Sequence, residues 1–319
     1  MEKLLCGVDI GGTKLSVGLV QPDGRIVDKI TVYDHVSKSE DMVVEQITRL
    51  VTQLISANRL NESDLQGIGV VFPGHVRYRD GVTITSSNLT GFKNYSLRQA
   101  VSTNFHIPVL LDNDANAQAF YEFRFGAGRG YETIIFLTVS TGIGAGIIIN
   151  GKLFRGMTGT AGEFGHTIIN PGNDLICTCG NDGCLMACAC GLALPNLFKR
   201  KTEDGFRTSL PLPVDFDYSQ VDGKMIREGL EIDDPLSKSI VLDCAGAIGT
   251  GIYNIFQIFN PPIIILGGGL LSWGEIFLNR IRSRFYELAR DMIYDKIEIV
   301  VSEAPADAGL IGAAALLLE

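Results

Sequence analysis

The feature that most constrains the fold is a strand–turn–strand unit with a glycine-rich turn, which occurs twice in the chain. The first copy joins the apolar runs 4–10 and 15–20, and the second joins 133–140 and 146–149. In both halves, strands then alternate with segments of helical apolar spacing, which predicts α/β layers. Two similar α/β halves would have a ligand cleft between them.

The remaining elements follow from apolar periodicity and from turn residues. Residues 200–235 are polar and contain proline, which indicates a surface excursion. The other predicted strands are 25–33, 67–72, 108–111, 262–266 and 296–302. The predicted helices are 42–55, 115–125, 235–259, a long one between 269 and 296, and one from residue 308.

Length and charge exclude several classes of protein. A chain of 319 residues is too long for one ordinary core and predicts two domains. The net charge of −9 and the pI near 5.0 argue against a nucleic-acid partner, which would require clustered Lys and Arg. The short N-terminal apolar run predicts a strand rather than a signal peptide, and no run approaches the roughly 20 apolar residues of a membrane helix. We therefore expect a cytoplasmic protein with no membrane partner.

Three glycine-rich segments are candidate phosphate and nucleotide sites. Asp9-Ile-Gly-Gly-Thr-Lys14 and Thr138–Gly146 each follow a predicted strand, where exposed backbone amides can bind phosphate oxygens. Asp9 could hold Mg²⁺ through water. Gly267–Gly269 would let an adenine ring lie on the backbone. The alternative for the first segment is a hairpin turn that simply needs glycine.

Asn113-Asp114 lies where a predicted buried strand meets a helix. A carboxylate there can accept the proton of a hydroxyl that attacks phosphorus, and phosphoryl transfer otherwise needs mainly positioning and charge stabilisation. The alternative is that Asp114 is only a helix N-cap.

The cysteine pattern predicts a metal site. Five of the seven cysteines lie within the fourteen residues 177–190, which does not suit a disulfide framework in a chain of this size. One histidine and three cysteines would form a closed, structural zinc site: His166, Cys177, Cys179 and Cys184. The alternative is a set of free core cysteines, as we expect for Cys188 and Cys190.

Together these residues resemble the ROK family (repressors, open reading frames and kinases). The resemblance extends from Asp9 to Gly309-Leu-Ile-Gly-Ala-Ala, and its most specific motifs are Asn113-Asp-Ala-Asn, Gly162-Glu-Phe-Gly-His and Cys177-Thr-Cys-Gly-Asn-Asp-Gly-Cys184. It implies the actin-like ATPase (ribonuclease H-like) fold, with two domains around a cleft. It also implies ATP with Mg²⁺, a structural zinc, a hexose-like acceptor and a homodimer.

The resemblance also implies domain bounds and site residues. The N-terminal domain would be 1–118, completed by a C-terminal helix at about 304–319, and the second domain 119–303 would carry the zinc loop 166–184. Asp114 would be the catalytic base. Acceptor contacts would come from Pro73, Gly74, Asn88, Asn113, Glu163, His166 and the residue at position 186. ATP contacts would come from Asp9, Gly11, Gly12, Thr13, Lys14, Thr141, Gly142, Gly267 and Gly268.

One residue departs from the family pattern. Sugar kinases of this family usually read Gly-Cys-Leu-Glu in the zinc loop, whereas this chain reads Gly183-Cys-Leu-Met186. A thioether is a weak acceptor where a carboxylate would bind two hydroxyls. The acceptor could therefore be a cyclitol, keto-cyclitol or modified sugar rather than glucose, which we favour. Another carboxylate could replace the missing one, or activity could be lost.

Two further function classes remain as alternatives. A family repressor carries an added DNA-binding domain before the kinase-like part, and we expect none because the first predicted strand starts at residue 4. A sugar-binding sensor with weak or no catalysis would be compatible with Met186. The presence of Asp114 argues against a sensor, which needs no base.

Overall fold

The computed structural model describes residues 2–33, 39–86, 89–293 and 297–319. The strands are β1 (Leu4–Ile10), β2 (Leu15–Val20), β3 (Ile26–Val32), β4 (Leu65–Phe72), β5 (His75–Arg77), β6 (Val82–Thr85), β7 (Val109–Asn113), β8 (Ile134–Val139), β9 (Ile143–Ile149), β10 (Lys152–Leu153), β11 (Ile263–Gly267) and β12 (Glu298–Val301). The helices are α1 (Glu40–Ala57), α2 (Leu97–Ser102), α3 (Asp114–Phe125), α4 (Leu185–Ala189), α5 (Leu194–Glu203), α6 (Gly223–Glu231), α7 (Pro235–Phe259), α8 (Glu275–Ala289) and α9 (Ala308–Ala315).

Two five-stranded sheets confirm the predicted α/β class. The first sheet has the order β3-β2-β1-β4-β7, and the second has the order β10-β9-β8-β11-β12. In the first sheet β1, β2 and β3 are antiparallel neighbours, whereas β4 is parallel to both β1 and β7. A separate hairpin, β5-β6, follows β4.

Helix α1 covers one face of the first sheet. The Ser39 side chain accepts a hydrogen bond from the amide of Met42 and so caps the helix. Apolar residues at helical spacing then form a continuous stripe that packs in the core with β1 and β4. The helix predicted at 42–55 is confirmed with slightly wider bounds, because its cap and first turn are polar.

Helix α9 lies directly against the first sheet because two strand residues have no side chain. A Cβ at Gly7 would collide with the carbonyl of Leu310, and a Cβ at Gly69 would collide with the carbonyl of Ala313. Glycine normally weakens a strand, but here it permits close contact between backbones. The short, alanine-rich α9 can therefore pack closely on β1 and β4.

Contacts divide the chain into two compact units. Unit 1 comprises 1–136, 146–162 and 302–319, and unit 2 comprises 137–145 and 163–301. The domain bounds inferred from the resemblance, at 118/119 and 303/304, remain a prediction.

The segment 200–235 is more regular than predicted. It contains α6, which begins after the N-cap Asp222. The indole of Trp273 donates a hydrogen bond to the carbonyl of Gly223 at 2.9 Å and fixes this helix. Polar composition, a glycine at the first position (Gly223) and one inside the helix (Gly229) made this helix hard to recognise in the sequence.

Helix α7 is long and apolar enough to cross a membrane by length and composition. However, 56% of its most apolar window is buried inside the protein, as in the core helix of a globular protein. It packs chiefly against α8. Its apolar character is therefore explained by its place in the core of unit 2.

Candidate functional site

Three predicted segments of unit 1 end at the same edge of the first sheet. The strands β1, β4 and β7 are parallel, and Asp9 pairs with Val71, which in turn pairs with Asp112. The carboxyl ends of parallel strands form a common edge, where ligands usually bind in α/β sheets. The turn 9–14, the pair 73–74 and the pair 113–114 therefore lie along one edge.

Asn113, rather than Asp114, is the N-cap of α3. Its Oδ1 accepts hydrogen bonds from the amides of Ala115 at 2.8 Å and Asn116 at 3.3 Å. Asp114 is the first residue of the helix, and its Oδ1 accepts a bond from the amide of Ala115 at 3.0 Å. The alternative in which Asp114 serves only as the cap is therefore excluded.

The amide of Asn113 also holds the neighbouring strand end. Its Nδ2 donates to the carbonyl of Gly74 at 2.9 Å. Gly74 has a φ of 142°, and a Cβ there would collide with the carbonyl of Thr85. Only glycine suits this position. Pro73, Gly74 and Asn113 are thus brought together, while Asn88 lies outside the described residues.

The turn 9–14 is a tight hairpin end. The amide of Gly11 donates to the carbonyl of Lys14 at 2.8 Å, Gly12 is half-buried and Thr13 is exposed. Burial raises the pKa of the Asp9 carboxyl, the charge of Lys14 lowers it, and the charge of Asp307 raises it. The turn thus offers backbone amides beside a carboxylate, which suits a phosphate with its divalent cation.

In unit 2 the predicted nucleotide residues lie at the ends of β8 and β11. The carbonyls of Ser140 and Thr141 accept hydrogen bonds from the amides of Gly191 and Leu192, at 2.7 and 3.0 Å. Gly268 has a φ of 101°. A Cβ there would collide with the carbonyl of Val139. Gly268 therefore lies against the backbone at the end of β8, and Ser140 and Thr141, which follow β8, are held by the backbone of Gly191 and Leu192.

The four predicted metal ligands form one cluster. Cys177 Sγ lies 3.5 Å from His166 Nδ1, and Cys179 Sγ lies 3.6 Å from Cys184 Sγ. All four ligand atoms lie within 4.8 Å of one another. Three sulfurs and one nitrogen at this spacing suit a tetrahedral zinc ion.

Local backbone geometry explains why these ligands converge. The amide of Gly180 donates to the carbonyl of Cys177 at 2.9 Å, and Gly180 has a φ of 90°, so Cys177 and Cys179 face one point across a tight turn. A hydrogen bond with the Asn181 backbone lowers the pKa of the Cys179 thiol to about 6. Burial raises the pKa of Cys184 to about 12. This shift favours the thiolate of Cys179, the form that binds metal.

His166 and Met186 connect the metal cluster to other predicted residues of unit 2. His166 Nε2 lies 4.0 Å from the carboxylate of Glu163, on the side of the ring opposite Cys177. The methyl carbon of Met186 lies 3.6 Å from the position of a Cβ on Gly142. Met186, two residues after the metal loop 166–184, therefore lies close to the glycine-rich loop of this unit.

Two charged residues beside the site were not singled out in the sequence. Asp112 is almost fully buried at the end of β7, and Arg155 pairs with it at 2.7 Å. A charged residue within an apolar strand was a usable signal for Asp112. Nothing in the sequence pairs it with Arg155, which lies 43 residues away.

Comparisons with known proteins agree along the whole chain. The profile of the ROK family matches residues 5–319. A glucokinase of Thermotoga maritima is 33% identical over 320 residues, covering 100% of this chain and 99% of that protein. A putative xylose repressor of Caldicellulosiruptor sp. is 30% identical over 322 residues, covering 99% of this chain and 78% of the repressor.

A solved structure with bound ligands is similar as well. It is a ROK family glucokinase from Streptomyces griseus in complex with glucose and AMPPNP. It shares 30% identity with this chain, the match covers 98% of both chains, and the TM-score is 0.77.

Proposed function

The chain belongs to the ROK family, and we propose that it is an ATP-dependent kinase that phosphorylates a hydroxyl of a small cyclic polyol. Its fold is the two-domain actin-like ATPase fold of the sugar kinases in that family. The observation that carries the proposal is the edge of the first sheet. There Asp114 begins a helix that is already capped by Asn113, beside the glycine turn of β1.

In the proposed reaction Asp114 accepts the proton of the acceptor hydroxyl. The hydroxyl oxygen forms a bond to the γ-phosphorus of ATP, the bond from that phosphorus to the bridging oxygen breaks, and ADP leaves. The amides of the turn 9–14 and of Thr141–Gly142 would bind phosphate oxygens, and Gly267–Gly268 would contact the adenosine. Mg²⁺, held through water by Asp9, would neutralise charge on the β- and γ-phosphates.

Turnover by an Asp114→Asn variant tests this role. Losing a general base costs typically about 10²- to 10⁴-fold in rate, so we expect kcat to fall by that factor with the KM for ATP little changed. Asp204→Asn is a matched control, because Asp204 is an exposed residue in unit 2. ADP release measured with both variants checks the prediction, and near-normal kcat in Asp114→Asn would rule out the base.

We also propose that zinc is bound by His166, Cys177, Cys179 and Cys184. When bound, zinc supplies a structural crosslink without an open coordination position. His166 would use Nδ1 for the metal and turn Nε2 towards Glu163, so that one imidazole ring orients the carboxylate proposed to contact the acceptor.

Met186 decides which acceptor we favour. Its sulfur is within reach of the Thr178 hydroxyl at 4.0 Å, and its methyl group faces Gly142, so this position presents a largely apolar surface. A site without a hydrogen-bond acceptor at this position gains no binding free energy from a sugar hydroxyl there, and so does not select a sugar that carries one. We therefore propose a cyclitol, keto-cyclitol or substituted sugar rather than glucose.

A Met186→Glu variant tests this specificity. A carboxylate that makes two charge-assisted hydrogen bonds, at about 1.5–3 kcal/mol each, would raise kcat/KM for glucose by roughly 10²- to 10⁴-fold. Met186→Gln is the control for size and polarity without charge. The panel is glucose, mannose, fructose, N-acetylated hexosamines, inositols and keto-inositols, and strong turnover of glucose by the unaltered protein would refute our reading of Met186.

The second candidate is a sugar-binding sensor with little or no catalysis, which is favoured by a thioether at position 186, where the resemblance predicts a carboxylate. No turnover of any acceptor in the panel, combined with a shift of the melting temperature when a sugar is added, would support the sensor. Under either function we propose a cytoplasmic homodimer that binds no nucleic acid. Sedimentation velocity would test the dimer.

A further inference from the structure

A buried ion pair lies directly behind the Asn113–Asp114 turn. The carboxylate of Asp112 is 1% exposed, and its Oδ2 accepts a hydrogen bond from Arg155 Nε at 2.7 Å. The Arg155 side chain is itself only 12% exposed. A buried carboxylate is stable in its charged form only when a partner and hydrogen bonds compensate the lost water.

The second oxygen of Asp112 fixes the turn that carries Asp114. Its Oδ1 accepts hydrogen bonds from the backbone amide of Asn113 at 2.7 Å and from the side chain of Asn116 at 2.8 Å. One carboxylate therefore binds the last residue of β7 and the first turn of α3. Asp114 lies between these two points of attachment.

Arg155 joins Asp112 to two other segments of unit 1. Its guanidinium carbon lies 4.0 Å from the centre of the Tyr78 ring, next to the β5 strand. Its terminal nitrogens donate to the carboxylate of Glu319 after α9, one of them at 3.0 Å. The planar guanidinium suits this set of contacts, because it can pair with carboxylates and stack on a ring at once.

Charge reinforces the geometry. Burial raises the pKa of the Asp112 carboxyl, and the charge of Arg155 opposes that rise. Burial also acts to lower the pKa of Arg155, but Glu319 and Asp112 outweigh it and raise that pKa above its ordinary value. Arg155 therefore stays a cation, and its removal would leave a buried carboxylate without a counter-charge.

We propose that Arg155 is a positioning residue that holds the Asp112–Asn113–Asp114 turn in its reactive geometry, acting through the carboxylate of Asp112. The inference rests on the proposed function, because it takes Asp114 as the base. Arg155 itself touches no substrate in this scheme. Its effect is to restrict where the Asp114 carboxylate can lie.

Three variants separate positioning from mere stability. Arg155→Met removes the counter-charge. The double variant Asp112→Asn/Arg155→Met removes the buried charge as well and so should recover the folding stability. Arg129→Met is the control, because Arg129 is an exposed arginine of the same unit. The measurements are kcat, the KM for ATP, the urea midpoint, and hydrogen exchange at the amides of residues 113–116.

We expect exchange at these amides to rise at least tenfold in Arg155→Met and to stay unchanged in Arg129→Met. We expect kcat to fall at least tenfold in both Arg155 variants, with the KM for ATP within twofold, even where the double variant regains the urea midpoint of the unaltered protein. Exchange or kcat within twofold of the unaltered protein in the double variant would overturn the proposal.

Failure of the proposed function gives a different result. If the unaltered, folded protein turns over no acceptor, the proposed kinase activity is refuted. Hydrogen exchange then decides alone whether Arg155 holds the turn. If Arg155→Met does not fold, the double variant supplies the same measurements.

Discussion

The distances between the four predicted ligand atoms lead to a prediction of the metal content. A tetrahedral zinc with Zn–S bonds of about 2.3 Å and a Zn–N bond of about 2.0 Å has sulfur–sulfur edges of about 3.8 Å and sulfur–nitrogen edges of about 3.5 Å. The Cys179–Cys184 and Cys177–His166 separations are 3.6 and 3.5 Å. These two pairs need to move by only a few tenths of an ångström, so we expect one zinc per chain.

Zinc should be the main stabilising interaction of the loop 166–184. The apolar cluster there is small, with Leu175 and Met186 as its only large side chains among the described residues, and both are partly buried. Fully burying such a side chain contributes about 1.5–3 kcal/mol, compared with about 10–16 kcal/mol for a structural zinc. Loss of the metal should therefore unfold the loop locally and leave unit 1 intact.

Elemental analysis and hydrogen exchange test this prediction together. Cys179→Ala should lower the zinc content well below one per chain and raise exchange across 166–186, with little change in β1 and β4. Cys188→Ala is the control, because it makes the same substitution at a cysteine outside the cluster; Cys188 is buried and Cys179 is exposed, so the general packing cost should be the larger in the control. Freshly purified protein with negligible zinc and a protected loop would refute the reasoning, and zinc loss in the control would refute the ligand set.

Two further predictions concern stability. Asp234→Ala should cost roughly 2–4 kcal/mol in urea unfolding, because it removes the α7 cap and a hydrogen bond from Ser237. Burial raises the pKa of Asp234, but its hydrogen bonds outweigh this and hold it below the usual range. The stabilisation that the Asp234 carboxylate provides is therefore present above about pH 3.9 and is lost as the pH falls through the lower folded pKa. Equal urea midpoints for Asp234→Ala and the unaltered protein at pH 7 would contradict the prediction. Gly165→Ala should destabilise unit 2 by about 1–3 kcal/mol, because the added Cβ would collide with the carbonyl of Ile143. Gly246→Ala is the control and should be neutral or stabilising, because Gly246 lies in α7 with room for a methyl group. Urea titration of both variants distinguishes the two outcomes.

Elements bounded by strong local signals were predictable from the sequence. Helix α7 begins at Pro235 after the capping Asp234 and ends before Asn260, which adopts a left-handed conformation, and its bounds match the prediction. Strands β1 and β2 also match, because each is a short apolar run that ends at a turn. In these cases the residues next to one another in the chain carry all the information that is needed.

Elements that depend on distant contacts were not predictable. The hairpin β5-β6 is too short to show a period, and it is held by contacts such as the hydroxyl of Thr83 donating to the carbonyl of Phe92. The helix α6 depends on Trp273, about fifty residues further along the chain. The clustering of the metal ligands was predictable from residue types, whereas the proximity of Met186 to Gly142 is visible only in the folded chain.

The run Asp112-Asn113-Asp114 shows how three consecutive polar residues can take separate roles. Asp112 already accepts hydrogen bonds from Arg155, Asn116 and the amide of Asn113, and it is 1% exposed, so it has no access to an acceptor hydroxyl. Asn113 is occupied by the helix cap and by Gly74. We therefore expect the base at this strand end to be Asp114, and its geometry to depend on the two residues before it. This division explains why we expect substitutions at Asp112 or Arg155 to lower kcat without contact with either substrate.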